Sequence, residues 1–345
     1  MAVTVCEDVA MFAWIAGRAG LLIALLLGGV ALCLAPVPWL AAHGVSALML
    51  AMLLGMALAG VRRPGWQPGL NLAKGPLLRL GVALFGLRLT PADIAGLGVR
   101  VWVIDAAVLV STFALAQWLG RRLRLDAPTR TLIGAGSAIC GAAAVLATQP
   151  VVRADAQRAG VAVAGVTLFG AAAMVLYPWL YHCLAPLGLS ERAYGVLAGS
   201  TLHEVAHVVA AGQAVGAEAA ASAVVAKMLR VLLLAPFLLW LAHAWRRSGQ
   251  LSADGAPTPR PPRPWFVLGF VAAAALAGSG WLPEALRQLL WQADAWLLAA
   301  AMAALGLDIR PAMLRAAGWR PLALAGALWL WLMLGGGGIN WLLSR

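Results

Sequence analysis

The chain has 345 residues, of which 63% are hydrophobic and only 11% are charged. Because soluble globular chains carry roughly 25% charged residues to keep their surfaces wetted, this composition excludes a soluble domain. The net charge of +12 does not indicate a nucleic-acid partner, since the bases are spread over short gaps between apolar runs instead of forming one basic face. The sequence therefore predicts a polytopic membrane protein.

Residues 1–15 are predicted to be an N-terminal tail, because they lack the basic start of a removable signal peptide. The four cysteines lie far apart and include no C-x-x-C pair, so neither a disulfide framework nor a thiolate metal site is predicted. Residues 16–345 are predicted to form a single transmembrane domain. It contains a cytoplasmic linker at 246–264, whose Pro, Gly and Ser content does not build a packed element.

A membrane-spanning helix needs about 20 apolar residues, and on that rule the sequence predicts an all-α fold with eleven crossings. The predicted crossings are 16–35, 39–60, 70–89, 92–119, 129–149, 159–181, 191–212, 217–245, 265–281, 289–307 and 319–343. When the Lys and Arg residues of the gaps are sorted by alternate sides, sixteen fall on one side and six on the other. This asymmetry predicts a cytoplasmic N-terminus and a periplasmic C-terminus.

An internal similarity links residues 84–98 with residues 304–318 at an offset of 220 positions, matching for example Gly86 with Gly306. In the predicted topology the first copy exits outward and the second exits inward. This relation is typical of inverted repeats in secondary transporters. Chance matching among Gly, Leu, Ala and Pro in a biased chain is the alternative.

The segment 134–150 places small residues at mid-membrane depth, among them Gly136, Ser137 and Gly141. Glycine and a small hydroxyl allow a helix to break there, and the free N–H groups at the start of a half-helix bind an anion. Close packing against a neighbouring helix is the alternative. The triplet Ala-Gly-Ser at 135–137 recurs 63 positions later, and the sequence leaves open how this similarity combines with the longer one.

The most polar predicted crossing contains Ser200, Thr201, His203, Glu204 and His207. An ionisable group at this depth costs about 3 kcal/mol unless it is paired or wetted, so such groups indicate a functional pathway. His203 and His207 are four positions apart and are expected on one face of a helix, with Glu204 beside them. Proton or ion coupling fits these groups. A polar cluster that only ties helices together is the alternative.

The string HEVAH at 203–207 also satisfies the H-E-x-x-H pattern, in which two histidines bind zinc and the glutamate activates water. The alternative function is therefore an intramembrane zinc metalloprotease that uses His203, Glu204 and His207. Such a site needs a third ligand. The candidates, which lie in no recognisable second motif, are Asp105, Glu218, His243 and Asp308.

Two cations, Lys227 and Arg230, fall three positions apart in the middle of a long predicted crossing, too deep to reach either headgroup layer. They need anions as partners. These are either protein carboxylates, such as Glu204 or Asp105, or an anionic substrate. An internal ion pair and a substrate-binding role are both open at this point.

With these residues in place, the chain resembles the YeiH-type family of bacterial inner-membrane proteins, often named sulfate exporters. The strings that carry the resemblance are LLRLGVALFGLRLT at 77–90, GAGSAICGAAAVLATQPV at 134–151, AGSTLHEVAHVVAAG at 198–212, KMLRVLLLAP at 227–236 and AMAALGLDIRP at 301–311. The resemblance implies a multi-pass inner-membrane transporter, similar in organisation to the inverted-repeat bile-acid and cation/proton antiporter folds. His207 stands where the family usually has glutamine, which makes the zinc motif a single substitution in a transporter helix. Met228 stands where it usually has threonine.

We therefore hypothesise a secondary transporter that exports a small anion such as sulfate, coupled to protons or another ion, with its site at the membrane midplane. Backbone amides near Ser137 and Ser200 are expected to bind the anion. The predicted substrate-binding residues are Gly136, Ser137, Gly141, Ser200, Thr201, Lys227 and Arg230, and the predicted ion-coupling residues are His203 and Glu204. No cofactor, metal or enzymatic activity is expected. The expected partners are the lipid bilayer and a small anionic solute, with self-association left open.

Overall fold

A computed structural model describes residues 19–42, 45–89, 96, 98–247, 265–309 and 311–344. Within these residues all regular secondary structure is helical, which confirms the predicted all-α class. The predicted tail at 1–15 lies outside the described residues. So does the predicted linker at 246–264, except for Arg246 and Arg247, which end a helix.

The helices are named in chain order. They are α1 (Ala19–Leu34), α2 (Pro38–Ala42), α3 (Ala47–Ala57), α4 (Pro64–Arg88), α5 (Gly98–Arg122), α6 (Ala127–Ala138), α7 (Ala142–Thr148), α8 (Ala156–Leu184), α9 (Glu191–Thr201), α10 (Val205–Gln213), α11 (Ala217–Arg247), α12 (Trp265–Gly278), α13 (Glu284–Asp308), α14 (Pro311–Ala317) and α15 (Trp319–Ser344). Within this set α4 and α11 are long spans with local irregularities, at Ala73–Leu77 and at Leu233 respectively.

Six of the described helices are long and apolar enough to cross a membrane, namely α4, α5, α8, α11, α13 and α15. The helices α1, α3 and α12 are shorter apolar helices. Two further predicted crossings, 129–149 and 191–212, correspond to the pairs α6–α7 and α9–α10, each interrupted in its middle. The number of crossings, eleven in our expectation, stays a prediction.

Several helices begin after a side chain that accepts a hydrogen bond from the first turn, where the backbone N–H groups have no partner within the helix. The oxygen of Ser46 accepts from Met49 N at the start of α3, and that of Ser190 accepts from Ala193 N at the start of α9. Asp126 and Asp155 do the same for α6 and α8. These short polar residues therefore fix where the apolar helices begin.

The chain divides into two compact units, each described by itself. Unit 1 comprises residues 1–91 and 268–310, and unit 2 comprises residues 92–267 and 311–345. The prediction of one transmembrane domain over 16–345 stays a prediction.

Unit 1 is held together by close helix contacts at glycines. A Cβ added to Gly55 on α3 would lie 2.3 Å from the carbonyl oxygen of Ala303 on α13, so the two backbones nearly touch. A Cβ on Gly86, near the end of α4, would lie 2.3 Å from the carbonyl oxygen of Phe270 on α12. Small residues of this kind let membrane helices approach closely.

Ion pairs also join α4 and α13 in unit 1. Arg88 Nε lies 2.9 Å from Asp294 Oδ2, and the Asp294 side chain is fully buried. At the other end of the contact, Lys74 pairs with Asp308, and Arg62 Nη1 lies 3.4 Å from the same carboxylate. The Arg88–Asp294 pair and the Lys74–Asp308 pair each connect one cation on α4 with one carboxylate on α13.

Unit 2 brings α9 against α11 through two glycines one turn apart. A Cβ on Gly195 would lie 2.5 Å from the carbonyl oxygen of Ala219, and a Cβ on Gly199 would lie 2.3 Å from that of Ala223. Such short distances leave no room for a side chain, so α9 must pack with its backbone against α11. Because of this contact, the C-terminal end of α9 lies beside the part of α11 that carries Lys227.

Candidate functional site

The first interruption separates α6 from α7 at residues 139–141, where the sequence predicts a helix break. Gly141 has a φ of +66°, in the left-handed region that favours glycine. A Cβ added to Gly141 would lie 2.4 Å from Cγ of Glu204, so this position also needs a residue without a side chain. The glycine thus allows both the sharp turn and the close approach of a second segment.

The second interruption separates α9 from α10 at residues 202–204. Leu202 has φ and ψ of −68° and 150°, and Glu204 has −120° and 149°, so the chain is extended between the two half-helices. The interruptions at 139–141 and 202–204 are displaced by the same 63 positions as the two Ala-Gly-Ser triplets. Each Ala-Gly-Ser triplet lies in the last turn of a half-helix and ends one residue before that half-helix ends.

Lys227 on α11 joins the two interruptions. Its fully buried Nζ donates to the carbonyl oxygen of Ile139 at 2.7 Å and to that of Leu202 at 2.6 Å. These two carbonyls occupy the same position in the two similar segments. The last carbonyls of a helix have no partner within it and carry the negative end of the helix dipole, so an ammonium group stabilises both ends at once.

Arg230 continues this arrangement one turn later on α11. Its Nε donates to the carbonyl oxygen of Ala138 at 2.7 Å, and its Nη2 lies 3.5 Å from that of Ser137. Its Nη1 is buried and has no hydrogen-bond partner. Carboxylates or a substrate were the expected partners of the two cations, but the observed hydrogen bonds of both cations go to backbone carbonyls.

Glu204 is the last residue of the second interruption, and its side chain is buried. Its Oε1 accepts a hydrogen bond from Ala142 N, at the start of α7, at 3.3 Å. A carboxylate is favoured at this end of a helix, where backbone N–H groups are unpaired. At the two breaks, cations therefore contact the C-terminal carbonyls of the half-helices, and a carboxylate contacts the N-terminal amide of α7.

The expectation that His203 and His207 share one helical face is wrong, because α9 ends at Thr201 and α10 begins at Val205. His203 and Glu204 thus lie in the break, and only His207 lies on α10. Both histidines are buried, and none of their ring nitrogens has a hydrogen-bond partner. Among the described residues no three His, Cys, Asp or Glu side chains are grouped so that they could hold a metal ion.

Anion binding by backbone amides near Ser137 and Ser200 stays a prediction, and the half-helix starts that carry such amides are at Ala142 and Val205, beyond the breaks. Both serines lie in the last turn of a half-helix, where the carbonyls and not the amides lack partners within the helix. Ser200 Oγ instead accepts from Asn340 Nδ2 on α15 at 2.9 Å, and Thr201 Oγ1 accepts from the Tyr177 hydroxyl on α8 at 2.9 Å. The hydroxyl of Ser137 is buried and has no partner.

Gly136 lies against two valine side chains. A Cβ on it would lie 2.7 Å from Val145 Cγ2 and 3.0 Å from Val166 Cγ1. This glycine permits close packing, the alternative that sequence analysis left open for the segment. Of the predicted binding residues, Ser137, Gly141, Lys227 and Arg230 meet at the breaks, whereas Ser200 and Thr201 bond to neighbouring helices.

Tyr177 and Asn340 were not predicted as site residues, and Asp105 was expected only as a partner of the two cations or as a third zinc ligand. Asp105 is fully buried on α5, and both of its carboxylate oxygens lack a hydrogen-bond partner. It interacts electrostatically with Arg230 and Lys227. The signal in the sequence was its isolation, since Asp105 is the single acidic residue in α5.

Comparison with known proteins confirms the membrane character of the chain. A family model described as conserved hypothetical protein 698 matches residues 19–325. The chain is 49% identical to the inner membrane protein YeiH of Salmonella typhi over 327 residues, 93% of each chain. It is 47% identical to a Pseudomonas aeruginosa membrane protein over 330 residues, 92% of each chain. It is 46% identical to Escherichia coli K12 YeiH over 331 residues, 94% of each chain.

The names of these three relatives all carry the designation UPF0324, and two of them specify the inner membrane. The resemblance predicted from the sequence strings is thereby confirmed. No solved structure matches the chain.

Proposed function

We propose that this chain, which belongs to the UPF0324 membrane-protein family described as conserved hypothetical protein 698, is a secondary transporter of a small anion in the bacterial inner membrane. The observation that carries the proposal is the bridge from Lys227 to the carbonyls of two interrupted helices. Interrupted helices at membrane depth are tolerated where they are buried in protein or line a water-filled cavity, and in secondary transporters they typically form the substrate site.

The charge at the breaks favours an anion over a cation. Each helix C-terminus supplies roughly half a negative elementary charge and each N-terminus roughly half a positive one, so the two C-termini at the breaks offset about one of the two cations and the two N-termini offset about the charge of the Glu204 carboxylate. Arg230 keeps one unpartnered nitrogen, Nη1, and the adjacent Ser137 keeps an unpartnered hydroxyl. Both groups can donate to an oxyanion such as sulfate, a sulfonate or a carboxylate. We propose that these two side chains contact the transported anion, while Lys227 holds the breaks together.

The proposal includes an inverted-repeat architecture, which the ion pairs of unit 1 support. The helices α4 and α13 begin and end at positions that differ by 220, the offset of the sequence similarity. At this offset Lys74 corresponds to Asp294, and Arg88 corresponds to Asp308. The observed pairs are Lys74 with Asp308 and Arg88 with Asp294. A two-fold relation between α4 and α13 requires this reciprocity. A contact from position i of one helix to position j of the other then implies a contact from position j of the first to position i of the second.

We further propose that transport is coupled to protons, that the N-terminus is cytoplasmic and that the C-terminus is periplasmic. The orientation rests on the distribution of Lys and Arg in the gaps. His203 and Glu204 stay candidates for proton transfer, because they lie in the second interruption and Glu204 contacts the first. The metalloprotease alternative gains no support from the described residues, since they hold no third metal ligand near the two histidines.

Flux measurements in vesicles test the proposal. Purified protein is reconstituted into proteoliposomes, and uptake of radiolabelled sulfate, thiosulfate and taurine is compared with protein-free vesicles. We expect at least one of these anions to enter only with the protein present. Protein-containing vesicles that take up none of them contradict the proposed function.

The variant Ser137→Ala locates the site. It removes a hydroxyl that makes no hydrogen bond in the protein, so the fold should keep its stability. A hydrogen bond to a charged group contributes about 1.5–3 kcal/mol, so loss of a contact to the anion should raise KM about 10-fold or more. The matched control is Ser111→Ala, whose hydroxyl donates only to Val108 O in its own helix, at 3.2 Å. An unchanged KM in Ser137→Ala removes this serine from the site.

A further inference from the structure

Asp105 is the buried carboxyl of unit 2 that no described group satisfies. Its side chain is fully buried, and neither carboxylate oxygen accepts a hydrogen bond. Arg230 and Lys227 act on it electrostatically, yet neither cation forms an ion pair with it, since Lys227 Nζ and Arg230 Nε donate to the break carbonyls. An ionised carboxylate in such a place is costly unless it is paired.

The groups around Asp105 leave the two cations as its charged neighbours. On α11 these are Lys227 and Arg230. The other helices that pack against this part of α5 present apolar residues, namely Leu332 and Ile339 on α15 and Val196 on α9. On α6 the charged residue next to α5 is Arg130, whose side chain packs at Gly120. Gly120 is fifteen residues further along the helix, roughly 22 Å from Asp105.

We infer that Asp105 is the proton-coupling residue of transport, and that its carboxylate and the transported oxyanion compete for the positive charge of Arg230. This inference rests on the proposed function. When Asp105 is ionised, it balances the charge that the helix termini leave uncompensated, and an added anion is disfavoured. When Asp105 carries a proton, that charge is free for an anion, and the carboxylic acid becomes a hydrogen-bond donor.

Glu204 is less suited than Asp105 to carry the coupled proton. The Glu204 carboxylate already accepts a hydrogen bond from Ala142 N, whereas both oxygens of Asp105 have none. The unpartnered Nη1 of Arg230 supplies a second donor for the same oxyanion. In each cycle one proton binds Asp105 from one side with the anion, and the same proton leaves to the other side when the anion is released.

The test uses proteoliposomes of the full chain and radiolabelled sulfate, with thiosulfate and taurine in parallel. In the wild type, an inward proton gradient should drive accumulation, and uptake without a gradient should be lost progressively as the pH is raised. In Asp105→Asn, exchange of the anion across the membrane should persist at a rate independent of pH, with no accumulation. Asp105→Glu, which restores a titratable group, should recover the pH dependence, and size-exclusion chromatography checks that each variant folds.

Two comparisons complete the design. Asp155→Asn, at an exposed acid paired with Arg158, should behave as the wild type. Glu204→Gln tests the other candidate for proton transfer. Proton-driven accumulation that persists in Asp105→Asn, or pH-independent exchange without accumulation in Glu204→Gln, overturns the inference while leaving the transporter proposal intact. Wild-type vesicles that move none of the anions overturn the proposed function and this inference together.

Discussion

The two units of the chain use buried charge in opposite ways. In unit 1 each cation that joins α4 and α13 meets a carboxylate, as Arg88 meets Asp294 at 2.9 Å. In unit 2 the buried cations Lys227 and Arg230 meet backbone carbonyls at the ends of interrupted helices, while the Asp105 carboxylate has no hydrogen-bond partner. Paired charges join two helices of unit 1, whereas the buried charges beside the broken helices of unit 2 are incompletely paired.

The largest effect should come from removing the bridge between the breaks. Lys227→Met deletes a donor that serves two buried carbonyls. Each unsatisfied group costs about 1–3 kcal/mol, so we expect a loss of about 3 kcal/mol or more in stability together with loss of anion flux. Thermal unfolding in detergent measures the first effect. Arg158→Met, which removes a cation with a 42% exposed side chain, is the control and should shift stability by under about 1 kcal/mol. Equal shifts in both variants would show that Lys227 does not bridge the breaks.

The second effect concerns the paired charges of unit 1. Asp294→Asn leaves the Arg88 guanidinium without its carboxylate, and breaking a buried pair costs about 3–5 kcal/mol, reduced here because Arg88 is 30% exposed. The double variant Arg88→Asp with Asp294→Arg should recover part of the loss. If the pair instead contributes nothing, the single variant will unfold at the wild-type temperature, and the contrast between the two units disappears.

A smaller effect is expected at the close contact of α3 and α13. A Cβ on Gly306 would lie 2.2 Å from the carbonyl oxygen of Met52, so Gly306→Ala forces two backbones apart. Overpacking of this kind costs about 1–3 kcal/mol. Gly75→Ala is the matched control, because a Cβ on Gly75 meets nothing within 4 Å. Equal melting temperatures for the two variants would contradict the described helix packing.

The smallest effect is expected at the start of α6. Burial raises the pKa of the Asp126 carboxyl, but hydrogen bonds from Thr129 and the Arg158 guanidinium more than offset this and hold the pKa below its ordinary value. The ionised cap therefore stabilises the fold at neutral pH, and this contribution is lost as the pH falls through the lowered pKa. Asp126→Ala should cost about 1 kcal/mol at neutral pH and less in acid, while Asp126→Asn should keep most of the cap. A pH-independent difference between wild type and Asp126→Ala would argue against the ionised cap.

The sequence predicted the helical class, which composition determines, and the interruption in 134–150, which Gly141 and its neighbouring small residues indicate. The partners of Lys227 could not be predicted, since backbone carbonyls look alike at every position of a sequence. Helical periodicity also placed His203 and His207 on one face, because periodicity does not reveal a break between them. The reciprocal ion pairs of unit 1 could not be predicted from the internal similarity. Its corresponding residues Lys74 and Asp294 carry opposite charges, so a search for identical residues does not match them.

The central claim, that the two joined interruptions bind an anion, is tested most directly by the melting temperature of the purified protein as sulfate concentration is raised. A ligand that binds only the folded form raises the melting temperature with its concentration. We predict such a rise in the wild type and in Ser111→Ala, and a rise that requires about 10-fold more sulfate in Ser137→Ala. The general stabilising effect of sulfate on proteins acts equally on all three. Identical curves for wild type and Ser137→Ala would contradict the claim.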